Sequence, residues 1–165
     1  MFKWILIVMA IVGAGAFVYQ QRNATKVSYV NGLAAYNRLP NQEYIFQRDC
    51  YIFKLRDMES AYPYVGTREI VPALPEKVEP ALVGKTVGDA RILDVVRVGD
   101  RFRIVSVRRE KSRKSSFVTF EILLENEAAR KYPRLDAYFI LQHPADGEET
   151  APQVLETFAV RRVKG

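Results

Sequence analysis

Residues 91–123 read RILDVVRVGDRFRIVSVRREKSRKSSFVTFEIL, and this stretch decides the fold class. The segments 91–98 and 101–107 are rich in β-branched and other apolar residues, which favour strands. Only Gly99 and Asp100 separate the two segments. Glycine at the first position of a two-residue loop suits a type II′ turn, because glycine adopts a positive φ at no steric cost. The sequence therefore predicts that these two segments form a β-hairpin.

Shorter strand patterns lie on both sides of this hairpin. A short helix is predicted at 126–132, where Pro133 ends it. The segment 56–85 contains four of the eight prolines, so we expect extended chain there with little ladder pairing. Further segments with strand-like alternation are 48–55, 116–123 (predicted to pair with 101–107), 137–141 and 154–163.

The number and length of these strands limit the possible architectures. A flat sheet of this size would leave one face and two edges unprotected, and curling the sheet removes both problems. The sequence therefore predicts a mainly β domain at 42–165, built as a small SH3-like or OB-like barrel with one short helix. A strongly twisted antiparallel sheet is the alternative. Neither architecture by itself indicates a function.

The segment 4–19 reads WILIVMAIVGAGAFVY and contains no charged residue. A helix over 2–19 would rise about 27 Å, close to the roughly 30 Å of hydrocarbon in a bilayer. We expect 1–19 to be a transmembrane signal-anchor, 20–41 a juxtamembrane connector, and the β domain to be extracytoplasmic. The alternative is a signal peptide cleaved after the small residues 14–16, which would make the protein secreted or periplasmic. A buried helix of a soluble domain fits less well, because the segment has no polar face.

Positive charge is concentrated in the predicted second hairpin, 101–116. Residues 101–114 carry seven basic residues and one acidic residue, a net +6 that equals the formal charge of the whole chain. Such a tip suits phosphates, anionic lipid head groups or an acidic protein surface. Alternatively, the charges only keep a solvated strand edge from aggregating. The candidate ligand-binding residues are Arg108, Arg109, Lys111, Arg113 and Lys114.

Residues that carry catalysis or hold metals are scarce. The chain has one cysteine, Cys50, in an apolar strand-like run, and one histidine, His143. Neither belongs to a pair with metal-ligand spacing, and no two carboxylates stand out as an acid and base. The basic tip also lacks the interleaved aromatic residues that stack on bases. The sequence therefore predicts no enzyme, no metal, no cofactor and no nucleic-acid partner.

Together these features predict a membrane-anchored, non-enzymatic interaction or assembly module of the cell envelope. It would contact the membrane through 2–19 and a protein partner through its β domain. A binder of an anionic ligand or lipid head group through the hairpin 101–116 is the alternative. A small envelope enzyme that uses Cys50 is a third possibility.

Overall fold

The computed structural model describes residues 26–58, 60–111, 116–125, 131–144 and 150–162. Within these residues the chain is mainly β, as the sequence predicts, with short 3₁₀ turns at Pro80–Leu82 and Tyr138–Ile140. The predicted leader and most of the predicted helix 126–132 lie outside the described residues. The strands are β1 Lys26–Tyr29, β2 Glu43–Phe46, β3 Cys50–Leu55, β4 Tyr64–Gly66, β5 Thr86–Val87, β6 Ala90–Val96, β7 Arg101–Lys111, β8 Ser116–Leu124, β9 Arg134–Asp136, β10 Leu141–Gln142, β11 Gln153–Val154 and β12 Ala159–Arg161.

One large twisted sheet contains ten of these strands, and β10 and β11 form a separate pair. The strand order in the large sheet is β12-β2-β7-β8-β9-β4-β3-β6-β5. Outside this path, β1 also pairs with β7. The two ends of this path, β12 and β5, do not pair with each other. The prediction of a closed barrel is therefore wrong for the described residues. The alternative of a twisted sheet is correct, but the sheet is mixed because β4 and β9 run parallel.

The hairpin predicted at 91–107 is not formed. Gly99 has the expected positive φ of 89°. However, β6 pairs with β3 and β5, whereas β7 pairs with β1, β2 and β8. The turn at Gly99 and Asp100 instead exchanges backbone hydrogen bonds with Phe46, at 2.9 Å each. The chain therefore crosses from one half of the sheet to the other at this turn. The second predicted pairing, between β7 and β8, is confirmed.

Two hydrophobic clusters explain how an open sheet protects both of its faces. Cys50 and Ile52 of β3 join the larger cluster, while Tyr51 and Phe53 join the smaller one, so β3 is buried on both sides. Chain that lies outside the large sheet covers each face. Val71 and Leu74 pack into the smaller cluster, and the larger cluster is completed from near the C-terminal end by Ile140, Leu141, Val154 and Phe158. This covering removes the need to curl the sheet into a barrel.

A β-bulge in β7 determines which side chains face the core. β7 carries one extra residue, Val105, because Ile104 and Ser106 pair with consecutive residues of β8. Before the bulge, Ile104 faces the larger cluster. After it, Val107 takes that side, and Ser106 and Arg108 face the opposite side of the sheet. Even-numbered residues of β7 before the bulge therefore face the larger hydrophobic cluster, whereas even-numbered residues after the bulge face the opposite side of the sheet.

The predicted connector contributes to the sheet. β1 pairs antiparallel with the C-terminal half of β7, from Lys26 opposite Lys111 to Tyr29 opposite Arg108. Beyond β1, Val30 and Tyr36 are buried in the larger cluster. The part of the predicted connector that the structure describes, from Lys26 onward, thus belongs to the β domain.

Candidate functional site

The candidate site is the end of the sheet where β1, β7 and β8 run together. We call the residues 26–29, 108–111 and 116–119 the three-stranded tip. Side chains directly opposite each other on paired strands share one face, so the registers sort the tip residues into two faces. One face, the network face, carries Arg108, Glu110 and Thr119. The other, the basic face, carries Lys26, Arg109 and Lys111.

A buried arginine organises the network face. Arg108 is 2% exposed, and its Nη2 donates to Oδ2 of Asp136 at 2.5 Å and lies 3.0 Å from Oε1 of Glu110. Its guanidinium also lies 5.6 Å from the ring centroid of Tyr62. The Nε of Arg108 is buried and has no hydrogen-bond partner among the described residues. A cation held this deeply depends on its two carboxylates, because water does not reach it.

Asp136 of β9 holds several strands and loops together. Besides Arg108, its carboxylate accepts hydrogen bonds from the hydroxyl of Thr119, the hydroxyl of Ser60 (3.1 Å) and the backbone N–H of Tyr138 (2.9 Å). These donors come from β8, from the segment before β4 and from the turn after β9. A carboxylate that accepts this many bonds is satisfied although it is buried. The Asp136 carboxylate therefore links these three parts of the chain to Arg108.

A second buried carboxylate extends the network. Glu121 accepts a hydrogen bond from the hydroxyl of Ser106 at 2.6 Å and from Nη1 of Arg134 at 2.5 Å.

Burial raises the pKa of Glu110, while Arg108 acts to lower it and Asp136 to raise it further. Since the pKa of Glu110 in the folded state lies above its unfolded value, its stabilising contribution is complete below the unfolded pKa. That contribution is lost as the pH rises through the folded value.

The basic face is not neutralised in this way. Lys26 lies directly opposite Lys111, and Arg109 lies opposite Ser28 on the same face. Among the described residues none of the three cations forms an ion pair. Two like charges directly opposite each other destabilise a sheet, so this arrangement favours an anion bound from outside.

The outer edge of β1 is free within the described part of the chain. The N–H of Val30 donates to the carbonyl of Val107 at 3.0 Å, and the direction of hydrogen bonding alternates along an antiparallel strand. The backbone groups of Val27 and Tyr29 therefore face away from β7. Their side chains are 52% and 63% exposed, which is high for apolar residues. The edge thus offers both unpaired backbone and apolar side chains to a partner.

The structure separates the candidate residues named from the sequence. Arg108 is buried in the ion network and is not available at the surface. Arg109 is half-buried and Lys111 is exposed, both on the basic face. Arg113 and Lys114 lie outside the described residues. The ligand-binding role of this set stays a prediction, and within the described residues it now depends on Arg109 and Lys111.

Sequence reasoning missed Lys26 as a member of the site. It is 85 residues from Lys111 along the chain, and only the pairing of β1 with β7 brings them together. The alternation in Lys26–Tyr29 is the one local signal, but four residues are too few to identify a strand. Asp136 and Glu121 are likewise buried, and no local pattern in the sequence distinguishes them from solvated carboxylates.

Cys50 is the residue on which the thiol-enzyme alternative depends. Cys50 is fully buried, and burial raises the pKa of its thiol to about 12. His143 lies near the carbonyl of Tyr138, with its ring nitrogen 3.0 Å away. A thiol becomes a nucleophile only as the thiolate, and this environment disfavours that form.

We expect the Cys50 thiol to resist alkylation in the folded protein. At pH 8, iodoacetamide should modify Cys50 at least roughly a hundredfold more slowly in the folded full-length chain than in urea, because the folded thiol is buried and protonated. Mass spectrometry of the intact chain over time measures both rates. Rapid modification of the folded chain would show that Cys50 is accessible and would revive the thiol-enzyme alternative.

Comparisons with known proteins add no relatives. A scan against protein-family models, a search of curated proteins and a search of solved structures each gave no match to this chain. In the ranges that the structure describes, no cluster of three or more potential metal ligands is present. No helix in those ranges has the length and hydropathy needed to cross a bilayer. The geometry of the three-stranded tip is therefore the basis for a functional proposal.

Proposed function

We propose that this protein is a non-enzymatic interaction module of the cell envelope, tethered to the membrane by 2–19, with its β domain extracytoplasmic. The observation that carries the proposal is the free edge of β1. An extended segment of a partner protein would add to this edge as a further strand, in the way that many domains bind peptides. The tether would keep the module at high local concentration near a membrane-bound partner.

Two properties of β1 support this use. Its outward backbone groups at Val27 and Tyr29 lack partners among the described strands, and an unpaired edge is a template for another strand. The same residues expose apolar side chains, and Leu33 nearby along the chain is 48% exposed. Soluble domains usually protect such edges with charge, proline or a covering loop. The edge of β1 has a lysine only at its first residue, and the exposed apolar side chains that follow are typical of a binding surface.

A second candidate function is binding of an anionic ligand or lipid head group. The register that places Lys26 opposite Lys111 favours it, because the repulsion between these ammonium groups would be relieved by an anion. The two functions use different parts of β1. The partner strand would occupy the edge, and the anion would occupy the basic face.

Replacing Val27 with proline should release the partner. Val27→Pro removes an N–H that faces outward, so the ladder with β7 stays intact while strand addition is blocked. Val27→Ala is the matched control, because it shortens the same side chain but keeps the N–H. We expect Val27→Pro to lower the fraction of full-length chain in a partner complex by about fivefold or more, consistent with loss of hydrogen bonds at the edge. Native gels of gently solubilised host membranes measure this fraction.

The proposal requires that the control variant, Val27→Ala, still forms the complex. The melting temperatures of both variants should lie within a few degrees of that of the unaltered protein. If all three proteins run as lone chains, the interaction module is not supported. If Val27→Ala and Val27→Pro lose the complex equally, the side chain rather than strand addition carries the contact. A complex containing only copies of this chain would identify the partner as a second copy.

A further inference from the structure

We propose that the basic face of the three-stranded tip lies on the anionic head groups of the membrane to which the chain is tethered. The contact is made by Lys26, Arg109 and Lys111. It rests on the tether of the proposed function, and it adds a second contact with the membrane beyond the apolar leader. The tip would thereby fix the orientation of the β domain relative to the bilayer.

The arrangement of charge on this face supports the inference. The six side chains that the registers place here are those of Lys26, Ser28, Arg109, Lys111, Ser116 and Val118. Three are cationic and none is acidic, whereas the cation on the opposite face, Arg108, is paired with two carboxylates. The charges are therefore sorted between the two faces of one strand. A face of unpaired cations suits a membrane surface that carries anionic lipids.

The length of the connector limits how far this face can lie from the bilayer. Seven residue steps separate Tyr19, the end of the apolar segment, from Lys26 in β1. A fully extended chain spans at most about 3.6 Å per residue, so Lys26 cannot lie more than about 25 Å from the end of an inserted leader. Charge attraction to lipid head groups acts within about 8 Å at physiological salt. The upper limit set by the connector therefore allows Lys26 to lie within that range.

Protection against aggregation explains the face less well. Lysine on an edge strand does discourage pairing with other chains. That purpose is served by charge near the edge alone, but Arg109 lies on the inner strand β7, between β1 and β8. An inner-strand cation does not guard an edge. It does widen a charged surface that a membrane contacts.

Acetylation of the lysines in the full-length chain tests the contact directly. The chain is placed in nanodiscs of phosphatidylcholine, either alone or mixed with phosphatidylglycerol, and treated briefly with a neutral acetylating reagent. We expect Lys26 and Lys111 to react about fivefold more slowly in the anionic discs, with the difference abolished by high salt. Mass spectrometry reports each site separately. The exposed lysines away from the tip, Lys54, Lys77 and Lys85, are internal references that should not change.

A charge reversal on the same face sharpens the test. Arg109→Glu leaves both reporter lysines in place and should remove their protection in anionic discs. Arg91→Glu, at an exposed arginine of β6, is the matched control and should leave the protection unchanged.

Each other outcome would overturn the inference. Equal reactivity of Lys26 and Lys111 in both discs, while the chain remains inserted, rejects the contact and leaves the tether intact. Equal protection in both discs shows that charge does not drive the contact. Protection in neutral discs on adding glycerol phosphate identifies a soluble anion rather than the membrane. A chain that stays in solution without discs or detergent removes the tether, and the lipid contact with it.

Discussion

The variant Asp136→Asn should lose about 3–5 kcal/mol of unfolding free energy, because it leaves Arg108 buried without its main counter-charge. Arg108 is 2% exposed and has Glu110 as its only other described carboxylate partner. The change keeps the shape of the side chain, so the loss reflects charge and not packing. Urea denaturation of the full-length chain in a non-ionic detergent, followed by circular dichroism, measures the effect.

An exposed ion pair supplies the control for this prediction. Glu69 pairs with Arg48 at the surface, and the Glu69 side chain is 65% exposed. Solvent screens such a pair, so Glu69→Gln should change stability by less than about 1 kcal/mol. If Asp136→Asn and Glu69→Gln lower the unfolding free energy equally, the buried network contributes no more to stability than a surface ion pair.

A double-mutant cycle assigns the loss to the pair. Arg108→Met removes the cation, and in that background Asp136→Asn no longer strands a buried charge. The second substitution should then cost at least about 1.5 kcal/mol less than it does alone. Strictly additive losses would mean that Asp136 acts only through Thr119, Ser60 and the backbone of Tyr138.

Local patterns in the sequence predict part of this fold correctly. The alternation in 101–107 and 116–123 predicts the β7–β8 pair, and the structure confirms it. The hairpin predicted around Gly99 is wrong although the glycine adopts its expected conformation. A positive φ fixes the turn, but it does not fix which strands pair afterwards. Here β6 pairs with β3, which lies about 40 residues earlier, and burial on both faces of β3 outweighs the short loop.

The candidate site was less predictable because it depends on pairing between distant segments and on one bulge. The charge count identifies the β7–β8 hairpin as basic, but it cannot separate Arg108 from Arg109. That separation requires knowing that β1 and β9 flank the hairpin and that Val105 is an extra residue. Without the bulge, even-numbered residues of β7 from Phe102 onward would share one face. Local alternation places Arg108 and Arg109 on opposite faces, but the bulge decides which of these faces continues the hydrophobic core.

Replacing Val107 with aspartate should unfold the protein or cost at least several kcal/mol, because the bulge directs this side chain into the larger hydrophobic cluster. Val107 is fully buried there. Val105, two residues earlier and at the bulge itself, is only half-buried. Val105→Asp should therefore cost about 1 kcal/mol, the loss expected for an aspartate in a partly solvated strand. The two variants make the same chemical change at neighbouring positions.

The stabilities of Val105→Asp and Val107→Asp distinguish a bulged β7 from a regular β7. In a regular strand, Val105 and Val107 would share the face opposite Phe102 and Ile104, and the two variants would behave alike. With the bulge, only Val107 joins Ile104 in the core, so only Val107→Asp places an unpaired carboxylate among apolar side chains. Urea denaturation and near-ultraviolet circular dichroism of both full-length variants measure the difference. Equal stabilities would show that β7 is regular, and Arg108 and Glu110 would then lie on the same face as Ile104 rather than on the opposite one.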